Sequence, residues 1–184
     1  PPIYSGNGHT QQYLNPDLEK ASHQFDPRSL RNAFGKFATG VTIITTCQSD
    51  GTPRGITANS FTSVSLDPPM LLICIAKSAF SKSVFSECKY FGVNILRSTQ
   101  QDISTLFASK SAEKFDKVDY EKSLHGTPVI KETLGNFICQ RQKSVDAGDH
   151  LVIFGEVIDF WSNEGSPLLY FNGAYCSLDQ GHAD

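Results

Sequence analysis

The sequence predicts a mainly β, antiparallel barrel with a few short helices, and three observations predict it. Strand-type runs recur along the chain, among them Val41-Thr42-Ile43-Ile44-Thr45-Thr46 and Phe91-Gly92-Val93-Asn94-Ile95-Leu96. Turn chemistry such as Ser49-Asp50-Gly51-Thr52-Pro53 separates them. Helical periodicity is confined to a few short stretches, and many strands with few helices make an antiparallel barrel rather than a doubly wound sheet.

Taken in order, residues 1–25 are polar and aperiodic, with Gly6, Gly8, Asn15 and Pro16, and read as a flexible or partner-draped arm. Asp26-Pro27 starts a helix, with Asp26 as cap and Pro27 at the first helical position. Leu30, Phe34, Phe37 and Ala38 fall on one face, and Gly40 ends it. The β-branched run from Val41 is the first strand. The turn at residues 49–53 sends it into a second strand region over residues 54–65. Asp67-Pro68-Pro69 forces a break, and the apolar residues 70–76 are a buried strand. Residues 78–90 read as a helix with Val84, Phe85 and Cys88 inward, followed by the strand at residues 91–96. Thr99 caps a further helix, Asp102 completing a near capping box, with Ile103, Leu106 and Phe107 facing the core. Residues 109–122 are charged and read as mobile. The chain closes on strands at residues 135–142, 150–161 and 168–176, Gly165-Ser166-Pro167 separating the last two. The polar stretch from Gln140 to Ala147 carries no readable role. The domain is therefore expected over residues 26–178, with a tail at 179–184.

A chain of 184 residues with a formal charge of −3 is one domain without a basic footprint, so no nucleic acid or anionic membrane partner is expected. Its apolar runs are too short to span a bilayer. No signal-peptide pattern opens it, and a cytoplasmic location is expected. It begins at Pro1 rather than methionine, so an initiator or a longer leader is expected ahead of it. Cys47, Cys74, Cys88, Cys139 and Cys176 are odd in number and form no Cys-x-x-Cys pair, which reads as reduced thiols rather than a disulfide framework or a zinc site. Cys74 reads as a small core residue.

The sequence contains no Gly-x-Gly-x-x-Gly fingerprint, Walker loop, His-Glu-x-x-His or Gly-x-Ser-x-Gly elbow. What it has is a run of small and hydroxylated residues, Thr57-Ala58-Asn59-Ser60-Phe61-Thr62-Ser63-Val64-Ser65-Leu66-Asp67-Pro68-Pro69. Small residues let a flat ligand approach the backbone, where hydroxyl, amide and peptide N–H groups bond ring heteroatoms. A polar edge strand with Ser/Thr turns has the same composition.

This run, preceded by Phe37-Ala38-Thr39-Gly40-Val41-Thr42, resembles the flavin reductase-like family, the small reductase components of two-component flavin monooxygenases. The likeness continues through Phe91-Gly92-Val93-Asn94-Ile95-Leu96, Gln101, Phe107-Ala108, Lys114-Phe115, Gly126-Thr127-Pro128, Gly148-Asp149-His150 and Pro167-Leu168-Leu169-Tyr170-Phe171. It covers about residues 27–175.

The resemblance implies an FMN-binding split β-barrel of antiparallel, Greek-key type. It also implies FMN or FAD as flavin, NADH or NADPH as hydride donor, a homodimer with sites near the subunit interface, and a separate oxygenase that takes the reduced flavin. By position it implies that Thr57, Ala58, Asn59, Ser60, Phe61 and Ser63 line the flavin, with Gly40, Val41, Ser65 and Ala76 beside them. Ser78, Ser81 and Lys82 fall where the family holds the flavin phosphate, and a helix N-terminus suits an anion; plain helix capping is the other reading of these serines. Asn94, Gln101 and Phe107 are further flavin candidates, and Asn94 reads equally as a satisfied strand-end amide. The resemblance puts His150 by the flavin and the nicotinamide, where it would orient or polarise; a strand-entrance histidine bonded to a carbonyl is the alternative. Tyr170, Phe171 and Tyr175 match positions near the nicotinamide pocket and read otherwise as core and rim aromatics. A non-catalytic flavin-binding or electron-transfer protein on the same barrel, and an oxidase related to the pyridoxamine phosphate enzymes, are the competing functions.

Overall fold

Residues 41–46 are buried on both faces, which is what a β-branched run without polar alternation requires. In the computed structural model, which describes residues 25–111 and 113–178, this run forms β2 (Thr42–Cys47), preceded by the two-residue β1 (Thr39–Gly40). Val41 and Ile43 face one core cluster and Ile44 faces another, so β2 is a wall between two cores. Asp50 Oδ1 accepts from the Thr52 N–H at 2.9 Å, and Gly51 takes a positive φ of 82°. The turn so made returns the chain as β3 (Pro53–Ala58), paired antiparallel with β2 from Thr42↔Ala58 to Cys47↔Pro53.

Beyond Ala58 the chain leaves that strand. It crosses at residues 59–61 and continues as β4 (Thr62–Leu66), which pairs with β5 (Pro69–Ala76) instead. With β6 (Tyr90–Ile95), β9 (Gly135–Ala147) and β10 (His150–Ser162), these strands form one antiparallel sheet in the order β3-β2-β6-β9-β10-β5-β4. Strands β3 and β4, consecutive in sequence, are its two opposite edges. The three residues between them therefore span an open seam, the split of the barrel. Within this sheet the out-of-order neighbours are β2–β6 and β10–β5, the crossings of a Greek-key arrangement as the resemblance implied. A two-stranded sheet of β7 (Tyr120–Lys122) and β8 (Pro128–Ile130) and a three-stranded one of order β1-β11-β12, with β11 (Leu169–Phe171) and β12 (Ala174–Cys176), complete the fold.

One core cluster lies inside the barrel around Phe85, Phe91, Ile73, Ile75 and Ile153. The other lies between β2, α3 (Gln101–Ala108) and the segment after it, where Phe107, Phe115 and Tyr120 make consecutive edge-to-face contacts at centroid distances of 5.1 and 5.0 Å. Residues 109–122 are thus anchored by a buried Phe115 and contain β7, not the mobile loop their charge suggested.

Several boundaries move. Helix α1 (Pro27–Phe34) begins as expected, Asp26 accepting from the Ser29 N–H at 2.8 Å, but it stops at Gly35. Gly40 lies in β1, Phe37 lies beyond the helix, and Leu30, Phe34 and Phe37 are exposed. The helix expected over residues 78–90 shrinks to α2 (Lys82–Glu87). Gln100, not Thr99, makes the bond ahead of α3, its Oε1 accepting from the Arg97 N–H at 3.0 Å. Residues 140–147 are the far half of β9, where β10 is the strand partner once the pairing with β6 has ended at Gln140; Arg141 also bonds the Lys89 carbonyl through its N–H and the Cys88 carbonyl through Nε. The strand expected over residues 168–176 is a hairpin turning at Asn172-Gly173, both at positive φ (52° and 83°). The five cysteines are free thiols, and Cys74 is half-buried beside the core. The expected arm and tail lie outside the described residues except for Phe25.

Candidate functional site

The seam exposes the ends of β3 and β1, and six of the sequence-predicted residues meet there. Val41, Thr57, Ala58, Asn59, Tyr170 and Tyr175 line a cleft of about 230 Å³ together with Ser104 and Ala108 of α3. The walls are rigid. Thr57 Oγ1 donates to the Ser104 carbonyl at 2.6 Å, and Thr42 Oγ1 donates to the Ala58 carbonyl at 2.7 Å. The Ser104 and Tyr175 hydroxyls bond one another at 2.8 Å, and Tyr175 meets Tyr170 edge to face at 5.4 Å. Thr57, Ser104 and Tyr175 thus spend their hydroxyls on the scaffold. Asn59 is exposed, and its amide has no hydrogen bond to any described residue. A second cleft of about 360 Å³ shares Asn59 and Tyr170 and extends towards α1 and the Asn172-Gly173 turn.

The opposite end of the seam carries a second group. Ser60 Oγ donates to the Cys74 carbonyl at 2.9 Å and accepts from the Cys74 N–H at 3.1 Å, replacing a ladder pair where no strand neighbour exists. Ser63 and Ser65 lie on the edge strand β4, the first exposed and the second half-buried. Ala76 is the register partner of His150, and the Lys77 N–H bonds the Asp149 carbonyl at 2.9 Å. His150 Nδ1 lies 2.7 Å from Asp149 Oδ1, so its ring partner is a carboxylate rather than a carbonyl. That hydrogen bond, and then the imidazole's charge, hold the Asp149 carboxyl below the usual carboxylate range. An imidazole that gives Nδ1–H to Asp149 keeps Nε2 as its second ring nitrogen for a ligand. Lys77 pairs with Asp146 at 2.7 Å, and Lys82 lies close enough to help lower that carboxyl as well. Ser81 is buried and caps α2 by position without a side-chain hydrogen bond, while Ser78 is exposed and precedes the helix rather than starting it. A six-residue helix offers little dipole to an anion, so charge on this face comes from Lys82 and Lys77.

Four predicted residues stand apart. Asn94 is enclosed, and its amide is used up inside the protein: Nδ2 donates to the Ile43 carbonyl and Thr45 Oγ1, and Oδ1 accepts from the Ile130 N–H and Asn136 Nδ2. Phe107 is sealed in the second core. Gln101 is exposed at the start of α3, and Phe61 turns inward to stack on Phe137 at 5.8 Å. Gly40 and Phe171 flank the cleft on β1 and β11 without lining it; an added Cβ at Gly40 would meet nothing within 4 Å. Sequence reasoning missed Ser104, whose contacts with Thr57 and Tyr175 come from distant segments, and Thr39, Arg31 and Asn172 of the larger cleft.

A flat, heteroatom-rich ring fits this arrangement. Thr39 Oγ1, on the wall of the larger cleft, is buried with no hydrogen-bond partner among the described residues, and the neighbouring surface is small at Gly40 and Ala58 and aromatic at Tyr170. Among the described residues no group of three or more His, Cys, Asp or Glu is placed to hold a metal ion, and no helix is long and apolar enough to cross a membrane.

The flavin reductase like domain matches residues 34–179. The reductase component of a flavin-dependent trigonelline monooxygenase from Acinetobacter baylyi is 46% identical over 157 residues, 85% of this chain and 51% of that protein. An FMN reductase (NADH) from Agrobacterium fabrum is 44% identical over 148 residues, 80% of this chain and 84% of that one. The chain spans about half the length of the Acinetobacter protein, and of a Rhizobium meliloti relative at 44% identity. The NADH:FAD oxidoreductase of Streptomyces globisporus, solved with NAD and FAD fragments, superposes with a TM-score of 0.80 at 36% identity, covering 84% of this chain and 93% of that one. A match over most of the chain, agreeing with the split barrel and its seam, shows that this chain belongs to the flavin reductase-like domain family.

Proposed function

We propose that the chain is an NAD(P)H-dependent flavin reductase that delivers reduced FMN or FAD to a separate monooxygenase component. The observation that carries this reading is the seam cleft, where Val41, Thr57, Ala58 and Asn59 face Tyr170 and Tyr175. The names of the relatives, NADH-dependent in two cases, favour NADH as donor. The exposed aromatics Phe34, Phe37 and Phe160 support a homodimer, and the cytoplasm is the compartment we expect.

A bound flavin would supply the hydride acceptor that no side chain of this protein can provide. The residues of the chain bind, orient and shield. Ala58 and Val41 admit a planar ring close to the backbone of β3 and β2. The free amide of Asn59 is the group available to bond a ring heteroatom. Tyr170 and Tyr175, held by each other and by Ser104, exclude water from the cleft. Lys82, with Ser78 and Ser81, holds the phosphate. His150, fixed through Asp149, orients or polarises the nicotinamide.

The test is NADH consumption by the full chain with and without added free flavin, followed by anaerobic mixing. Saturable consumption that requires FMN or FAD, with bleaching of the flavin band near 450 nm, is expected, on the order of 1–1,000 turnovers per second. NADH that leaves the flavin oxidised under anaerobic conditions would overturn the reading in favour of a non-catalytic flavoprotein.

A further inference from the structure

We propose that Lys114 is a positioning residue for flavin binding: it clamps the last turn of α3 to β3 and so holds Ser104 and Ala108 where they line the seam cleft. This rests on the flavin reductase reading and deepens it, since Lys114 lies outside both clefts and acts through α3.

Helix α3 rests on the face of β3 that carries Gly55 and Thr57. A helix packed on a strand exchanges no backbone hydrogen bonds with it, so side chains fix its seating. Phe107 lies where a side chain at Gly55 would lie, an added Cβ coming within 2.5 Å of its ring. Two side chains then reach carbonyls. Thr57 Oγ1 donates to the Ser104 carbonyl at 2.6 Å, while Lys114 Nζ donates to the Phe107 carbonyl at 2.7 Å and reaches the Gly55 carbonyl at 3.4 Å. Ser104 and Phe107 are three residues apart, so both ties fall on one side of α3. Lys114 joins helix and strand from a third segment, whose next residue, Phe115, is buried against Phe107. Movement at this end is passed to the cleft. Ser104 has no exposed surface, Thr57 holds its carbonyl and Tyr175 its hydroxyl at 2.8 Å, and Ala108 lines the same cleft one turn on. The chemistry of the clamp agrees. Its ammonium is half-buried, and burial pushes it below the ordinary lysine value. Among the described residues the ion pairs are Lys77–Asp146 and His150–Asp149, so no carboxylate returns the hydration lost at Lys114. Its partners are a carbonyl from the last turn of α3, at the negative end of the helix dipole, and the Phe107 ring, whose centroid lies 5.8 Å from Nζ. A methionine would fill the same space without that cost. What distinguishes lysine here is its grip on two carbonyls.

Two measurements on the full chain test it. The first compares FMN binding and steady-state kinetics in Lys114→Met, which keeps the stem and removes the donors. The Kd and KM for FMN should rise about tenfold, kcat at saturating FMN should stay within about twofold, and Lys114→Arg should recover part of the loss. Cys139→Ala loosens the barrel core away from α3, and it should lower stability in urea while leaving the FMN Kd within about twofold of wild type. The second measurement uses the wild type and so holds even where Lys114→Met does not fold. Coupling between sites is reciprocal, so flavin in the cleft tightens the clamp. FMN should slow acetylation of the Lys114 amine by acetic anhydride about fivefold and leave the exposed Lys110 unchanged. Four results each overturn the proposal: a folded Lys114→Met protein that binds FMN within about twofold of wild type or loses kcat instead, Lys114→Arg no better than Lys114→Met, Cys139→Ala that weakens FMN as much, or Lys114 labelling that FMN does not slow. All four leave flavin reduction by the wild type standing. A wild type that reduces no flavin, while FMN still protects Lys114, sinks the reductase reading instead.

Discussion

Replacing Asn94 with alanine separates a structural amide from a ligand-binding one. Asn94 is 1% exposed and joins four strands: its amide reaches the Ile43 carbonyl at 2.9 Å, Thr45 Oγ1 at 3.2 Å, the Ile130 N–H at 2.9 Å and Asn136 Nδ2 at 2.8 Å. The four losses are unequal. Thr45 Oγ1 still donates to the Pro128 carbonyl at 2.6 Å, and Asn136 Nδ2 keeps a longer bond to the Ile130 carbonyl at 3.4 Å. The Ile130 N–H loses its side-chain acceptor inside the protein, which costs about 1–3 kcal/mol, and each remaining bond adds roughly 0.5–1 kcal/mol. The sum is about 2.5–6 kcal/mol out of a total stability of about 5–15 kcal/mol. With a urea m-value of about 2 kcal/mol/M the unfolding midpoint falls by roughly 1.2–3 M, read from the single tryptophan, Trp161. Folded variant should bind FMN within about twofold of wild type. A loss below about 1 kcal/mol, together with a tenfold weaker FMN complex, would refute the reasoning and return Asn94 to the flavin site.

Two further changes probe the cores. Gly55→Ala places a Cβ 2.5 Å from Phe107 Cε1 and 3.2 Å from Phe115 Cζ, and those rings already brace each other. We expect about 1–3 kcal/mol of destabilisation and a higher KM for flavin, since α3 carries Ser104 beneath the cleft; a neutral variant in denaturant titration would contradict the packing. Burial pushes the Cys139 thiol up to about 12. A raised thiol value stabilises the fold fully below the unfolded thiol's titration, and that contribution is lost as pH rises from about 9 towards 12. Stability should therefore fall by about 1.4 kcal/mol between pH 7 and pH 10 from this group, and Cys139→Ala should flatten that slope. A wild-type slope that survives the substitution unchanged would exclude Cys139 as its source.

The strands were legible wherever a local signal and the global fold agreed. The β-branched run of β2 and the Asp50-Gly51 turn are examples, because each is decided by neighbours in sequence. The cut at residues 59–61 was not legible. Thr57 to Ser65 has one continuous composition, and only the opposite edges of the sheet, met from outside the segment, divide it. Asn172-Gly173 was a readable hairpin signal hidden inside an apolar run. The polar residues 140–147 form strand because β10 holds them, not because they prefer it. Helix α1 ends at Gly35 rather than Gly40 because β1 pairs with β11, a contact more than a hundred residues away. Of the candidate site, Val41, Thr57, Ala58, Asn59, Tyr170 and Tyr175 were found by resemblance and converge. Asn94 and Phe107 were drawn in by the same resemblance, although composition cannot distinguish a buried amide that binds a ligand from one that ties strands together.

The central claim is that the seam cleft holds the flavin, and Asn59→Trp tests it most directly. Asn59 is exposed, makes no side-chain bond to a described residue and borders both clefts, so an indole there fills them without disturbing the core. The measurement is FMN affinity by flavin fluorescence quenching, with stability followed in urea. We predict a loss of at least about tenfold in affinity at a stability change within about 1 kcal/mol. An unchanged FMN Kd in a folded Asn59→Trp protein would contradict the assignment of the cleft.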